Sequence, residues 1–151
     1  MDLFERVSED IKKAMLARDK VRLEALRGAK KEFLEAKTAK GANGELSDEN
    51  ATKILVKMVK QRKESAAIYQ ENNRPELAEN ELAEASVIEE YLPKQLTDAE
   101  LEAELKKIIS EVGAEGPKDM GKVMGVASKA LQGKAEGRAI SAKVKELLGT
   151  L

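Results

Sequence analysis

Apolar residues recur along this chain at steps of three and four and never alternate singly over a strand's length, the pattern of helices rather than sheets. Leu3, Val7, Ile11 and Met15 mark one face of a first helix that ends near Arg18-Asp19. Leu23, Leu26, Ala29, Phe33 and Ala36 mark a second, from about Lys20 to Lys40, stopped by Gly41 and Asn43-Gly44. Ser47 ahead of Asp48-Glu49 opens a third, because the hydroxyl accepts from orphan amides and the two acids meet the positive end of the helix dipole. Its seam, Ala51, Leu55, Met58, Arg62, Ser65 and Tyr69, continues to Asn72-Asn73, where Arg74-Pro75 interrupts it. Pro75 suits the first turn of a fourth helix. That helix sets Leu77, Glu81, Ala85, Ile88 and Tyr91 or Leu92 on one side and stops at Leu92-Pro93, since the residue before a proline disfavours the helical region.

The Leu-Pro break is the clearest boundary in the chain, and a domain boundary is expected there. Beyond it, Thr97-x-x-Glu100 reads as a capping box. Leu101, Leu105, Ile108, Ile109 and Val112 then give an amphipathic stripe closed by Gly113. After a loop to Lys118, Asp119 is expected to cap a sixth helix bearing Val123, Met124, Ala127 and Leu131 and ending at Gly133. A seventh carries Ile140, Val144, Leu147 and Leu148 from about Arg138. The expected fold is all-α, with a four-helix N-terminal domain over residues 1–92 and a small three-helix tail domain over 93–151.

Composition narrows the chemistry. Among 151 residues there is no His, Cys or Trp, which removes an imidazole base, a thiolate nucleophile, a Cys/His zinc site and any disulfide. Neither metal nor cofactor is expected. The 27 basic and 28 acidic residues nearly cancel, but their distribution does not. Residues 1–63 carry 16 basic and 11 acidic groups, residues 64–115 carry 4 and 14, and residues 116–151 carry 7 and 3. Residues 1–6 place acids where a secretory signal needs bases, and no apolar run reaches a membrane-spanning length of about 18 residues. A soluble cytoplasmic protein without membrane contact is the resulting expectation.

Carboxylates crowd at Glu79, Glu81 and Glu84 and at Glu100, Glu102 and Glu104, but acid–base catalysis needs a buried, shifted pair facing a pocket. On this pattern they read as solvated helix surface. The serines lack any surrounding nucleophile motif, and no phosphate-binding loop or dinucleotide fingerprint occurs, so no catalytic residue is assigned. Gly121-x-x-x-Gly125 reads as close helix packing. Arg62 and Ser65 interrupt the third helix's apolar seam, and Arg62 there calls for a carboxylate partner, such as one on the acidic fourth helix. In the tail, Lys118, Lys122, Lys129, Lys134 and Arg138 are separated only by Asp119 and Glu136, a patch able to hold phosphates. The four rings, Phe4, Phe33, Tyr69 and Tyr91, all lie earlier, which disfavours reading of single-stranded bases and leaves recognition of a folded RNA by shape and backbone.

Several ordered motifs carry a family likeness. They are Leu23-x-x-Leu26-Arg27, Lys57-Met-Val-Lys-Gln-Arg62-Lys-Glu-Ser65, Glu84 followed by Ile88-Glu-Glu-Tyr91-Leu92-Pro93, Lys118-Asp119-Met-Gly121-Lys122-Val-Met124, and Gly133-x-x-x-Gly137-x-x-Ile-Ser-x-x-Val144. Together they resemble the YqeY-like proteins, which look like a stand-alone version of the C-terminal region of the B subunit of glutamyl/aspartyl-tRNA amidotransferase. The resemblance implies a helical domain followed by a tail similar to a mobile arm that helps hold tRNA. It also implies structural roles for Arg62, Tyr91, Leu92, Pro93, Asp119, Gly121, Met124, Gly133 and Gly137, and makes Lys118, Lys122, Lys129, Lys134 and Arg138 candidate RNA contacts. The leading expectation is a non-catalytic tRNA-binding or amidotransferase-like accessory module in translation. Its partners would be tRNA, an aminoacyl-tRNA-related enzyme or another protein. The alternatives are a protein–protein adaptor, and a carbon–nitrogen ligase activity with glutamine as amido donor that exists only within a larger complex.

Overall fold

In the computed structural model, which describes residues 1–151, most helices begin where the sequence supplies an oxygen for the first free amides. Asp2, Asp19, Ser47 and Thr97 accept from the backbone N–H of Glu5, Arg22, Asn50 and Glu100 and open α1 (Leu3–Ala17), α2 (Lys20–Thr38), α3 (Asp48–Glu71) and α5 (Asp98–Val112). At α5 the box is complete, because the Glu100 carboxylate accepts in return from the Thr97 N–H. α4 (Pro75–Glu89) instead starts on Pro75, whose missing N–H would have been an orphan. A short 3₁₀ turn (Pro117–Asp119), α6 (Met120–Ala130) and α7 (Gly137–Gly149) complete an all-helical chain.

The chain divides into two compact units, Met1–Pro93 and Lys94–Leu151, each with its own core. In the first unit, Val7 of α1, Leu26 and Phe33 of α2, Leu55 of α3 and Ile88 of α4 are almost wholly excluded from solvent. The rings of Phe4 and Phe33 stand 6.4 Å apart at a tilt, and the Lys37 ammonium lies 3.8 Å from the centre of the Phe4 ring. The start of α1 is tied to that of α3 by the Leu3 N–H donating to Asp48 Oδ1 at 3.0 Å.

Three faces differ from the simple periodicity. Ala14, not Met15, closes the inner side of α1, and Met15 is 53% exposed. At 100° per residue a strict four-residue step drifts round the helix, so the fourth member of such a series leaves the buried stripe. α4 buries Ala78, Glu84, Ala85, Val87 and Ile88, with Leu77 only partly covered. That helix also ends at Glu89 rather than Leu92, four residues ahead of the proline, and Glu90–Leu92 form turns.

In the second unit, Leu105 of α5, Val123 and Ala127 of α6, and Val144 and Leu148 of α7 make a core closed by Leu131 and Ile140. The segment that enters it is pinned, since the Leu96 N–H donates to the Lys134 carbonyl at 2.9 Å and the Gln95 amide to that of Gly133. Gly133 holds this turn at φ 78°, where a side chain would be strained. α6 is shorter than its pattern, ending at Ala130, with Leu131–Gly133 in turns.

Phe33 fills the centre of the first core with no exposed surface, so Phe33→Ala is expected to cost about 3–5 kcal/mol, read as a fall in the urea midpoint of unfolding.

Candidate functional site

The tail cations occupy exposed positions on three neighbouring elements of the second unit. Lys118 sits in the 3₁₀ turn, Lys122 and Lys129 on α6, Lys134 in the loop after it, and Arg138 in the first turn of α7. Lys122 and Lys129 are seven residues apart, two helical turns, and so share one side of α6 with the exposed Val126. None of these cations forms an ion pair; the unit's pairs are Lys106 with Glu102 and Lys143 with Glu146. Arg138 stands at the start of a helix whose first amides receive no side-chain cap.

Asp119 does not cap α6. Its carboxylate turns back to accept the Glu115 N–H at 2.8 Å, which closes the Gly113–Lys118 loop. That bond, together with the Gly116 amide and the charges of Lys118 and Lys122, holds its carboxyl below the ordinary value. The tight 3₁₀ turn made by Pro117 takes the place a capping residue would have filled.

Gly121 and Gly125 also depart from expectation. Both face outward, and a Cβ added to either would meet nothing within 4 Å, so they do not bring helices together within this unit. Met124 beside them is half-buried against the tail core. Gly137 opens α7, likewise exposed and with open space around it.

The first unit holds a polar cluster of a different kind. The sequence pattern sets Glu84 on solvated helix surface, but the structure buries it, with 8% of its surface exposed. Arg62 Nη1 reaches Glu84 Oε2 at 3.1 Å and Glu81 Oε2 at 3.6 Å, and the Asn80 amide adds a longer contact to the same Glu84 oxygen at 3.5 Å. A carboxylate four residues before Ile88 lies on that residue's inner side, so burial of Glu84 follows once α4 turns its Val87-Ile88 edge to the core. Burial pushes its carboxyl above the ordinary value of 4.5, and the Arg62 charge opposes this only in part. Gly28 on α2 makes room for the guanidinium: a Cβ there would stand 3.2 Å from Arg62 Nη2.

Tyr91 and Leu92 fold back on the same unit, where Leu92 is half-buried against the core while Pro93 is exposed. The Tyr91 hydroxyl donates to Asp10 of α1, and the Arg6 guanidinium lies 4.9 Å over the ring. Burial first, then the Asp10 carboxylate, pushes the phenol well above its usual range, so it serves as a donor that ties the end of the α3–α4 hairpin to α1.

The motifs at Arg62, Glu84, Tyr91 and Asp119 thus occupy defined structural places, and the family comparison covers all of them. The family model of the Yqey-like proteins matches residues 4–148. The chain belongs to that family. Curated relatives carry the name "Altered inheritance of mitochondria protein 41, mitochondrial". The one from Lachancea thermotolerans is 31% identical over 120 residues, covering 78% of this chain and 63% of that protein. The one from Pyrenophora tritici-repentis is 30% identical over 147 residues, covering 95% of this chain and 80% of that protein. The one from Meyerozyma guilliermondii is 35% identical over 124 residues, covering 80% and 64%. The chain therefore spans less than two thirds of some of the relatives it matches.

These names correct the cytoplasmic expectation, because the relatives of this YqeY-like chain are named as mitochondrial proteins and indicate the mitochondrion instead. The acids at residues 1–6 and the lack of a long apolar run speak only to secretory and membrane signals, which is why they did not discriminate. No helix is long and apolar enough to cross a membrane, and no three Asp or Glu side chains gather as metal ligands do.

Two outcomes follow from this geometry. Gly125→Ala adds a methyl to open space in a helix interior and is expected to raise stability by about 0.5–1 kcal/mol, measured by thermal unfolding. Arg62→Ala leaves Glu84 buried without its cation and is expected to cost about 3–5 kcal/mol at neutral pH. Because Glu84 is raised in the folded state, its neutral form favours folding below pH 4.5, and that contribution is lost as pH climbs through the raised value. The penalty of Arg62→Ala should therefore shrink at pH 4 relative to pH 7 in urea titrations.

Proposed function

We propose that this YqeY-like protein is a non-catalytic accessory module that binds folded RNA, tRNA first among candidates, through its C-terminal unit. The observation that carries the reading is the set of cations without ion-pair partners, Lys118, Lys122, Lys129, Lys134 and Arg138, exposed along α6 and around the start of α7. An unpaired lysine or arginine keeps its counterions until a phosphate displaces them, and each release drives binding. The uncapped start of α7 adds amide donors of the same sign beside Lys134 and Arg138. The outward glycines of α6 let a sugar-phosphate chain lie against helix backbone between Lys122 and Lys129.

The chain's four rings all lie in the first unit, buried or half-buried, so no stacking platform accompanies these cations. Recognition through phosphates and shape, which favours a structured RNA over an unstructured one, fits that arrangement. Acid–base or nucleophilic chemistry has no support in the charged clusters. The buried carboxylate of Glu84 is committed to Arg62, and the Asp119 carboxylate beside the tail cations is taken up by the Glu115 amide.

Joint replacement of Lys122, Lys129, Lys134 and Arg138 by alanine should weaken binding of total tRNA and flatten its salt dependence. Removal of four phosphate contacts lowers the slope of log K against log salt by about 3. Filter binding or fluorescence anisotropy across a salt series reads this, with an unstructured RNA of equal length as the control. Unaltered affinity and slope in the variant would refute the assignment.

A further inference from the structure

Lys30 and Lys37 of α2 both reach the Phe4 ring of α1, at 5.8 Å and 3.8 Å from its centre. That contact sets two stripes side by side. On α1, Phe4, Ser8, Ile11 and Met15 follow one another by steps of four, three and four, and on α2, Leu23, Arg27, Lys30, Leu34 and Lys37 keep the same rhythm, so each set runs along one side of its helix. The two helices are joined by Arg18 and Asp19 alone, which places Met15 and Leu23 at the same end of the seam. Met15 is 53% and Leu34 45% exposed, while Phe4, Ile11 and Leu23 are half-buried. The seam is thus a shallow apolar groove with cations along it, and at Leu34 a recess of about 360 Å³ opens, walled in part by Arg27, Lys30 and Lys31.

No acid falls in either stripe. Lys30 and Lys37 lie on the ring without a carboxylate partner, and Arg27 has only Glu24 of its own helix at 3.6 Å, an exposed pair that contributes little in water. Glu35 is the one acid among the walls of the recess. We infer that this seam docks an acidic amphipathic helix of a partner protein, its apolar side against Met15, Leu23 and Leu34 and its carboxylates on Arg27, Lys30 and Lys37. A groove between two packed helices accepts a third by the same entry of side chains between ridges. Leu23 and Leu34 are eleven residues apart, about 16 Å along α2, so about three turns of a partner helix span the groove. A bilayer surface would need apolar groups standing proud of the cations, whereas the Phe4 ring lies under Lys30 and Lys37. An RNA backbone would engage the cations and leave Met15 and Leu34 in water. The groove belongs to the first unit and shares no residue with the tail cations.

The test is a titration of the ¹⁵N-labelled full chain, followed by amide shifts, with a capped synthetic peptide of about 18 residues, rich in Glu and carrying leucines at alternating steps of three and four. The same residues with the leucines shuffled off that stripe, and a version with Lys in place of Glu, are the control peptides, and anionic lipid vesicles and total tRNA are titrated in parallel. Saturable shifts are expected at the Met15, Leu23, Arg27 and Leu34 amides, with an affinity about tenfold or more above either control peptide. Met15→Ser combined with Leu34→Ser should lower that affinity about tenfold while the chain stays folded, since both side chains stand about half in water. Arg27→Glu, also at an exposed position, should weaken it as well. Absence of saturable shifts, shifts centred on residues 118–138, equal affinity for the shuffled peptide, or undiminished affinity in both variants would overturn the proposal. So would a stronger response of these amides to vesicles, to tRNA or to the protein's own concentration than to the peptide.

Discussion

The carboxylate of Glu84 sits inside the N-terminal unit, and everything around it is arranged so that Arg62 can reach it. An isolated buried carboxylate would shed its charge or destabilise the fold by several kcal/mol. Pairing with Arg62 at 3.1 Å avoids this, but only if α3 and α4 lie in one register. The same register brings Lys63 to Glu89 at 2.9 Å, and the end of α4 brings Glu90 to Arg22 of α2 at 2.9 Å. The outer pairs are exposed and contribute little, while the inner one discriminates the correct packing from a shifted one. Gly28 belongs to the same constraint, because a Cβ there would stand 3.2 Å from Arg62 Nη2 and press on the guanidinium.

Helix identity and helix starts were legible because they depend on local chemistry. Ser47 and Thr97 cap the helices they precede whatever lies elsewhere in the chain, and Asp2 and Asp19, which the apolar pattern did not single out, do the same. Gly113 marks the stop of α5 for a similarly local reason, a left-handed backbone angle, whereas α6 ends at Ala130, ahead of Gly133. Arg62 announced itself by interrupting an apolar seam, and a carboxylate of α4 answers it. Glu84 was not legible as that partner, since nothing distinguishes it from Glu79 or Glu81 until the side of α4 that faces inward is known. Met15 and Leu77 failed for the same reason, as a period of four or a count of apolar residues does not fix helix rotation.

At the candidate site the residue types could be read and their surroundings could not. Exposure of Lys118, Lys122, Lys129, Lys134 and Arg138 followed from their places on polar faces, whereas the lack of ion-pair partners required the structure. The two glycines of α6 carry the same sequence signal whether they pack against a helix or stand open, and only space around the backbone separates the cases. Asp119 stands ahead of an apolar run as a cap would, yet Pro117 forces a 3₁₀ turn and diverts its carboxylate to the loop. Gly28 left a faint trace, a glycine within an otherwise continuous helical pattern, whose meaning appears only against Arg62.

The two units of this YqeY-like protein therefore use charge in opposite ways. In the first, the buried charge is neutralised by a partner and specifies packing; in the second, cations stay exposed and uncommitted, which is the physical condition for holding a polyanion. The most direct measurement of that contrast is amide hydrogen exchange on the full chain, with and without tRNA, at near-physiological salt. The account predicts slowed exchange confined to residues 118–138, and no such protection with an unstructured RNA of equal length. Protection centred on the first unit, or equal protection by both RNAs, would contradict it.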